Sequence, residues 1–195
     1  MKRLIPFIML LSLLYSHNNA FAQFSDNPFS IAVDNTLNNF ISVGPRQFFV
    51  QSNIVNAGNS ALQSGNIGNN QSTDLRVLVR GGDQVQFDYR TSTEANFDSL
   101  VLVVADLNGI VLDTPFFYSG EINWRTQQAY TIPGNRTQRI LLWVYQKDGS
   151  LSFGDDAVWV DNIQIKRDGV AVTASELDSS AELPAIIQLL LDDDS

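Results

Sequence analysis

Ile140-Leu-Leu-Trp-Val-Tyr-Gln-Lys-Asp148, Gly149-Ser-Leu-Ser-Phe-Gly-Asp-Asp156 and Ala157-Val-Trp-Val-Asp-Asn-Ile-Gln-Ile165 follow one another without a break. Two strand-like runs, each with a Trp, flank a loop of Gly, Ser and Asp. In the first run Ile140, Leu142 and Val144 oppose Leu141, Trp143 and Tyr145, so both faces are apolar. Such a strand is expected in the middle of a sheet and covered on both sides. Ser99 to Ala105 has the same character, with Leu100, Leu102 and Val104 against Val101, Val103 and Ala105. In the second run the odd positions Ala157, Trp159, Ile163 and Ile165 mark a core face, and Asp161 falls on it.

The rest of the body supplies the partners. Leu75, Val77 and Val79 alternate with Arg76 and Arg80, and Val85, Phe87 and Tyr89 alternate with Gln84, Gln86, Asp88 and Arg90. Gly81-Gly82-Asp83 between them is a turn signal, which predicts a half-buried hairpin. Ile110 to Leu112, Ser119 to Trp124 and Gln128 to Ile132 read as further short strands. Phe29, Ile31 and Val33 alternate over Phe29 to Asp34, which reads as a first short strand. About ten such runs at short spacing, with no evident helix, point to an all-β protein with two antiparallel sheets. The strand count and the two doubly apolar strands favour a jelly-roll sandwich over an immunoglobulin-like one.

The ends read differently from the body. Lys2 and Arg3, the apolar run Leu4 to Leu14 and Ala20-Phe21-Ala22 form the three parts of a secretory signal peptide, residues 1–22. The sandwich is expected over 23–167 and an acidic tail over 168–195. In the tail Leu183 to Leu191 is apolar and Asp192 to Asp194 closes it, a short segment open to a helical or a disordered state. The apolar run is too short to cross a bilayer, which takes roughly 20 residues. The formal charge of the 195 residues is −9; without Lys2 and Arg3 it is −11, of which the seven acids from Asp168 onward carry −7. Such a balance repels nucleic acid and anionic membrane. The expected location is secreted, periplasmic or at the cell surface.

What is missing narrows the chemistry. There is no Cys, and the only histidine, His17, lies in the leader. Nucleophilic Ser-His-Asp or Cys-His catalysis is excluded, as are zinc sites built on thiolate or imidazole. A bound metal must then be held by oxygen, as calcium is. Asp161, a carboxylate on the expected core face, requires compensation. A structural calcium shared with Asp34 is one solution; backbone N–H donors at a bulge are the other. The Gly149 to Asp156 loop lacks the Asp-x-Asp-x-Asp-Gly spacing of an EF-hand. The glutamates beyond the leader, Glu94, Glu121, Glu176 and Glu182, show no glycosidase spacing, so no enzyme is expected. Sugars stack on aromatic side chains, and Trp124, Trp143 and Tyr145 are the candidate contacts.

With these residues in view, the body resembles a family of jelly-roll modules in exported bacterial proteins, akin to MAM domains and more distantly to concanavalin A-like lectins. The resemblance runs through Ser60-Ala-Leu-Gln-Ser-Gly65, Phe87 to Glu94 with Phe97-Asp-Ser-Leu100, Ser119-Gly-Glu121 with Trp124, and Leu141 to Asp148 with Gly154 to Ile163. It implies a two-sheet, usually non-enzymatic sandwich used in adhesion or glycan contact. It also implies a cation near the last-strand Asp, here Asp161. The chain departs from the vertebrate MAM pattern in having no cysteines. The expected function is an exported, non-catalytic binding module with a glycan or a surface protein as partner. The alternative is a structural subunit of a surface assembly that docks through its C-terminal tail.

Overall fold

The computed structural model describes residues 27–173. The leader and the apolar run at Leu183 to Leu191, with the docking role expected of it, lie outside the described residues.

The described residues form one short helix, α1 (Pro28–Ala32), and eleven strands. These are β1 (Ile41–Val43), β2 (Phe49–Gln51), β3 (Ala61–Gln63), β4 (Ser72–Arg80), β5 (Gln84–Ser92), β6 (Ser99–Ala105), β7 (Val111–Ser119), β8 (Glu121–Thr131), β9 (Gln138–Gln146), β10 (Ala157–Arg167) and β11 (Val170–Ala171). They build two antiparallel sheets, β1-β4-β9-β6-β7 and β2-β3-β10-β5-β8, with β11 paired to β10. This is the expected all-β jelly-roll sandwich. The β11 pairing carries the second sheet past Arg167, and Val172 is buried, so the sandwich runs beyond the boundary expected at 167.

The alternating residues meet between the sheets. Leu75, Val77, Leu100, Leu102, Leu141, Trp143 and Tyr145 face Leu62, Val85, Phe87, Val158 and Val160 in one core. Trp143 sits at its centre, edge-on to Phe87 at 5.5 Å and tilted against Phe40 at 6.2 Å. As expected, β6 and β9 are interior strands. Their second faces are covered only at one end, where Ala105 and Ile140 are buried beside Ile41, Leu78 and Leu107. Val101, Val103, Leu142 and Val144 stay part-exposed among the described residues.

Three local expectations are corrected. Phe29 to Asp34 is not a strand: Asn27 accepts the N–H groups of Phe29 and Ser30 on its Oδ1, at 2.9 and 3.2 Å, and Pro28 opens α1. That is the capping chemistry of a helix start, and it outweighs a five-residue alternation. Second, β4 and β5 are not a hairpin, since they lie in different sheets. The Gly81–Asp83 turn crosses the sandwich, and a buried carboxylate fixes it. Asp83 accepts the Arg80 N–H at 2.9 Å and pairs with Arg167 at 2.7 Å, tying the crossover to β10. Third, the two short strands expected over Ser119 to Ile132 are one long strand, β8, whose register against β5 shifts twice.

Candidate functional site

Asp161 is buried, as its sequence neighbours imply, but on the opposite face from the one expected. Val160 pairs with Tyr89 and Leu62 of the core, whereas Asp161 pairs with Asp88 on the outer face. The reason is a β-bulge. The register against β5 shifts between Asp161 and Gln164, and Asn162 adopts φ +46°. One extra residue exchanges the two faces, so Val158 and Val160 precede the bulge on the core side and Ile163 and Ile165 follow it there. The Asn53-to-Gly58 segment covers Asp161. Its Oδ2 accepts the N–H groups of Asn56 and Ala57, both at 2.9 Å, and its Oδ1 accepts that of Asn162 at 2.7 Å. Asp88 joins the network by accepting from Asn56, Asn162 and Thr126 side chains.

Asp34 reaches this bulge from the end of α1. The carbonyl of Val33 accepts the Ile163 N–H at 2.9 Å, and Asp34 itself is exposed at φ +54°. Gly58 packs directly on its carboxylate: a Cβ there would stand 2.6 Å from Oδ1, at a backbone φ of +61°. Burial raises the Asp161 carboxyl above its ordinary range, the three N–H donors oppose that, and the charge of Asp34 adds to it. Burial raises Asp34 as well. The helix end that carries Asp34 therefore meets the bulge that carries Asp161. The three donors at the bulge are also in place.

The candidate sugar contacts divide. Trp143 and Tyr145 are both 0% exposed and lie between the sheets, which corrects their expected role. The face of β9 that reaches solvent carries Leu142 and Val144 instead. Tyr145 donates its hydroxyl to Asp156 Oδ1 at 2.9 Å and thereby anchors the β9–β10 loop. Trp159 is also buried, donating its indole N–H to Gln63 at 3.1 Å beneath the Arg90 guanidinium at 5.2 Å. Trp124 is half-buried on β8.

Another group of part-exposed aromatic residues with polar neighbours lies where β7 and β8, the edge strands of the two sheets, flank the same side of the sandwich. Tyr118 stacks on Tyr89 with centroids 3.8 Å apart; Phe116 stands 6.1 Å from Tyr118 and edge-on to Tyr130 at 5.5 Å. Register explains the convergence: Phe116 and Tyr118 pair with Leu102 and Leu100, and Tyr130 and Gln127 pair with Val85 and Phe87, so all point inward from opposite edges. The Tyr118 hydroxyl donates to Gln127 Oε1 and that of Tyr130 to Asp113 Oδ2. Burial raises both phenols, helped by Tyr89 beside Tyr118 and by Asp113 beside Tyr130, so both stay protonated donors. Phe116, Tyr118, Gln127 and Tyr130 are half-buried, and Asp113 and Arg125 are exposed beside them. Tyr118 and Tyr130 are plain in the sequence, but their meeting depends on β7 and β8 being the two edges.

No family model matches the chain, and no curated protein matches it. Several solved structures are similar to it. The secreted serine protease VesC from Vibrio cholerae shares 14% identity over 75% of this chain and 27% of that chain, with a TM-score of 0.49. TmCBM61, solved in complex with beta-1,4-galactotriose, shares 14% identity over 75% of this chain and 99% of that chain, at 0.48. The CBM22-1 xylan-binding domain of Paenibacillus barcinonensis Xyn10C shares 16% identity over 65% and 84%, at 0.45.

Proposed function

We propose that this chain is an exported, non-catalytic carbohydrate-binding module that takes a sugar chain along the β7–β8 edge. The observation that carries the reading is the ladder of Phe116, Tyr118 and Tyr130 with Gln127, Asp113 and Arg125 at its rim. Half-buried rings offer apolar faces to a pyranose, and the amide, carboxylate and guanidinium offer donors and acceptors to its hydroxyls. Trp124 on the same strand is a further contact. The absence of His and Cys after residue 17 fits a binding role rather than nucleophilic catalysis.

A glycan array of the purified chain tests this. Binding of at least one polysaccharide class is expected, reduced at least tenfold by Tyr130→Ala at unchanged near-ultraviolet circular dichroism. Retained binding in that variant, or none in the wild type, refutes the site. A second reading, a structural subunit of a surface assembly, is favoured by the part-exposed Val101, Val103, Leu142 and Val144 on the outer face of the five-stranded sheet. Sugar binding that depends on Tyr130 decides against it.

A structural calcium at Asp34 and Asp161 belongs to the same proposal. The residues fit a hard cation: Asp34 offers an exposed carboxylate, and three N–H donors to Asp161 leave about one carboxylate lone pair unused. Saturating calcium is expected to raise the unfolding midpoint by about 5–10 °C over chelator, as ligand linkage at high occupancy allows. The rise is expected to shrink in Asp34→Asn. An identical midpoint with calcium and with chelator removes this ion.

A further inference from the structure

A second cluster of oxygen ligands lies at one end of the sandwich, apart from both the ladder and the bulge. Glu94 and Asp98 belong to the β5–β6 connection and Asp148 to the β9–β10 loop. One carboxylate oxygen from each lies within 4.8 Å of the others. Ligands on opposite sides of a calcium ion stand about 4.6–5.2 Å apart, given bonds of about 2.3–2.6 Å, so the spacing suits that ion. Ser150 adds a hydroxyl at 2.7 Å from Asp148 Oδ1 and 3.4 Å from Glu94 Oε2.

The buried member of the cluster points to the ligand. Asp98 is 0% exposed. Its Oδ1 accepts the Asp148 N–H at 3.1 Å, but its Oδ2 accepts no hydrogen bond. The buried Lys147 ammonium forms an ion pair with that oxygen at 3.7 Å, beyond hydrogen-bond distance. Lys147 directs its hydrogen bonds elsewhere, to Ser152 Oγ at 2.6 Å and to Asp156. A buried carboxylate oxygen left without a donor is costly. Around it, Glu94, Asp98, Asp148 and Asp156 bring four negative charges against the single charge of Lys147. Only oxygen donors are present, which favours calcium over softer metals.

We propose that Glu94, Asp98 and Asp148 form a calcium site that joins the β5–β6 and β9–β10 connections. The ion completes the coordination of the Asp98 carboxylate and offsets the local excess of negative charge. It also fixes the two loops that carry the exposed side chains Phe97, Leu151 and Phe153.

Isothermal titration of the full chain with calcium alone, after chelator treatment, tests the site. The wild type is expected to bind calcium, and the double variant Glu94→Gln/Asp148→Asn to lose one equivalent. Asp34→Asn, at the separate bulge, is expected to keep that equivalent, so the two sites fail independently. Both residues substituted here are part-exposed, and an unchanged unfolding midpoint in chelator confirms that the double variant folds. Should it not, Glu94→Gln alone is expected to weaken this equivalent at least tenfold. Unchanged stoichiometry and affinity in these variants, or no calcium uptake by the wild type, overturns the proposal.

Discussion

Asp161→Ala is expected to destabilise the fold by about 3–5 kcal/mol, lowering the unfolding midpoint by roughly 10 °C. The carboxylate accepts three backbone N–H groups, from Asn56, Ala57 and Asn162. Each buried donor left without an acceptor costs about 1–3 kcal/mol, less where water enters. An opposing effect exists, because the substitution also removes the repulsion between Asp161 and Asp34. Asp34 is exposed, so solvent screens its part, and the loss of three acceptor contacts dominates. Asp161→Asn keeps one acceptor oxygen and is expected to fall between the two. Chelator-treated protein isolates this effect from any ion, and thermal unfolding followed by circular dichroism reads it. A midpoint within 2 °C of wild type, on the order of the shift from 1 kcal/mol, contradicts the structural role of the bulge.

Trp143→Ala is expected to cost about 3–5 kcal/mol, the range for emptying a large buried aromatic site. The indole packs against Phe87 and Phe40 at the centre of the core with no solvent exposure. Its N–H has no hydrogen-bond partner among the described residues. Trp143→Phe therefore forfeits area but no hydrogen bond, and is expected to cost much less. Urea unfolding of the two variants separates these outcomes. A stable Trp143→Ala protein that has merely lost sugar binding shows instead that Trp143 is a contact residue and that the face assignment of β9 is wrong.

The alternation of Leu75, Val77 and Val79, and of Val85, Phe87 and Tyr89, made the sandwich legible, because a period of two marks one buried face. It did not show which sheet each strand joins. A two-glycine turn between alternating runs serves a hairpin or a crossover equally well, and the choice here rests on Asp83 meeting Arg167, 84 positions away. Phe29, Ile31 and Val33 fit a strand over so short a span, while the decisive signal was Asn27 before Pro28. The face of Asp161 was misassigned for a related reason: a bulge inserts one residue, and parity counted across it inverts. Trp143 and Tyr145 stood out as aromatic and clustered, yet the solvent-facing residues of the same strand are aliphatic. The end of the first element does meet the Asp161 bulge, through Val33 and Ile163, although that element is a helix and not the strand whose pairing suggested it. The ladder was not legible, since β7 and β8 are distinguished from interior strands only by their place at the sheet edges.

Chemical-shift mapping of an isotope-labelled chain titrated with a glycan identified on the array locates the binding face directly. The expected result is that perturbations concentrate on Phe116, Tyr118, Gln127 and Tyr130, and that the resonances of Val101 and Val144 on the opposite face of the five-stranded sheet stay in place. Perturbations confined to that outer face, with the ladder unmoved, contradict a sugar site at the β7–β8 edge.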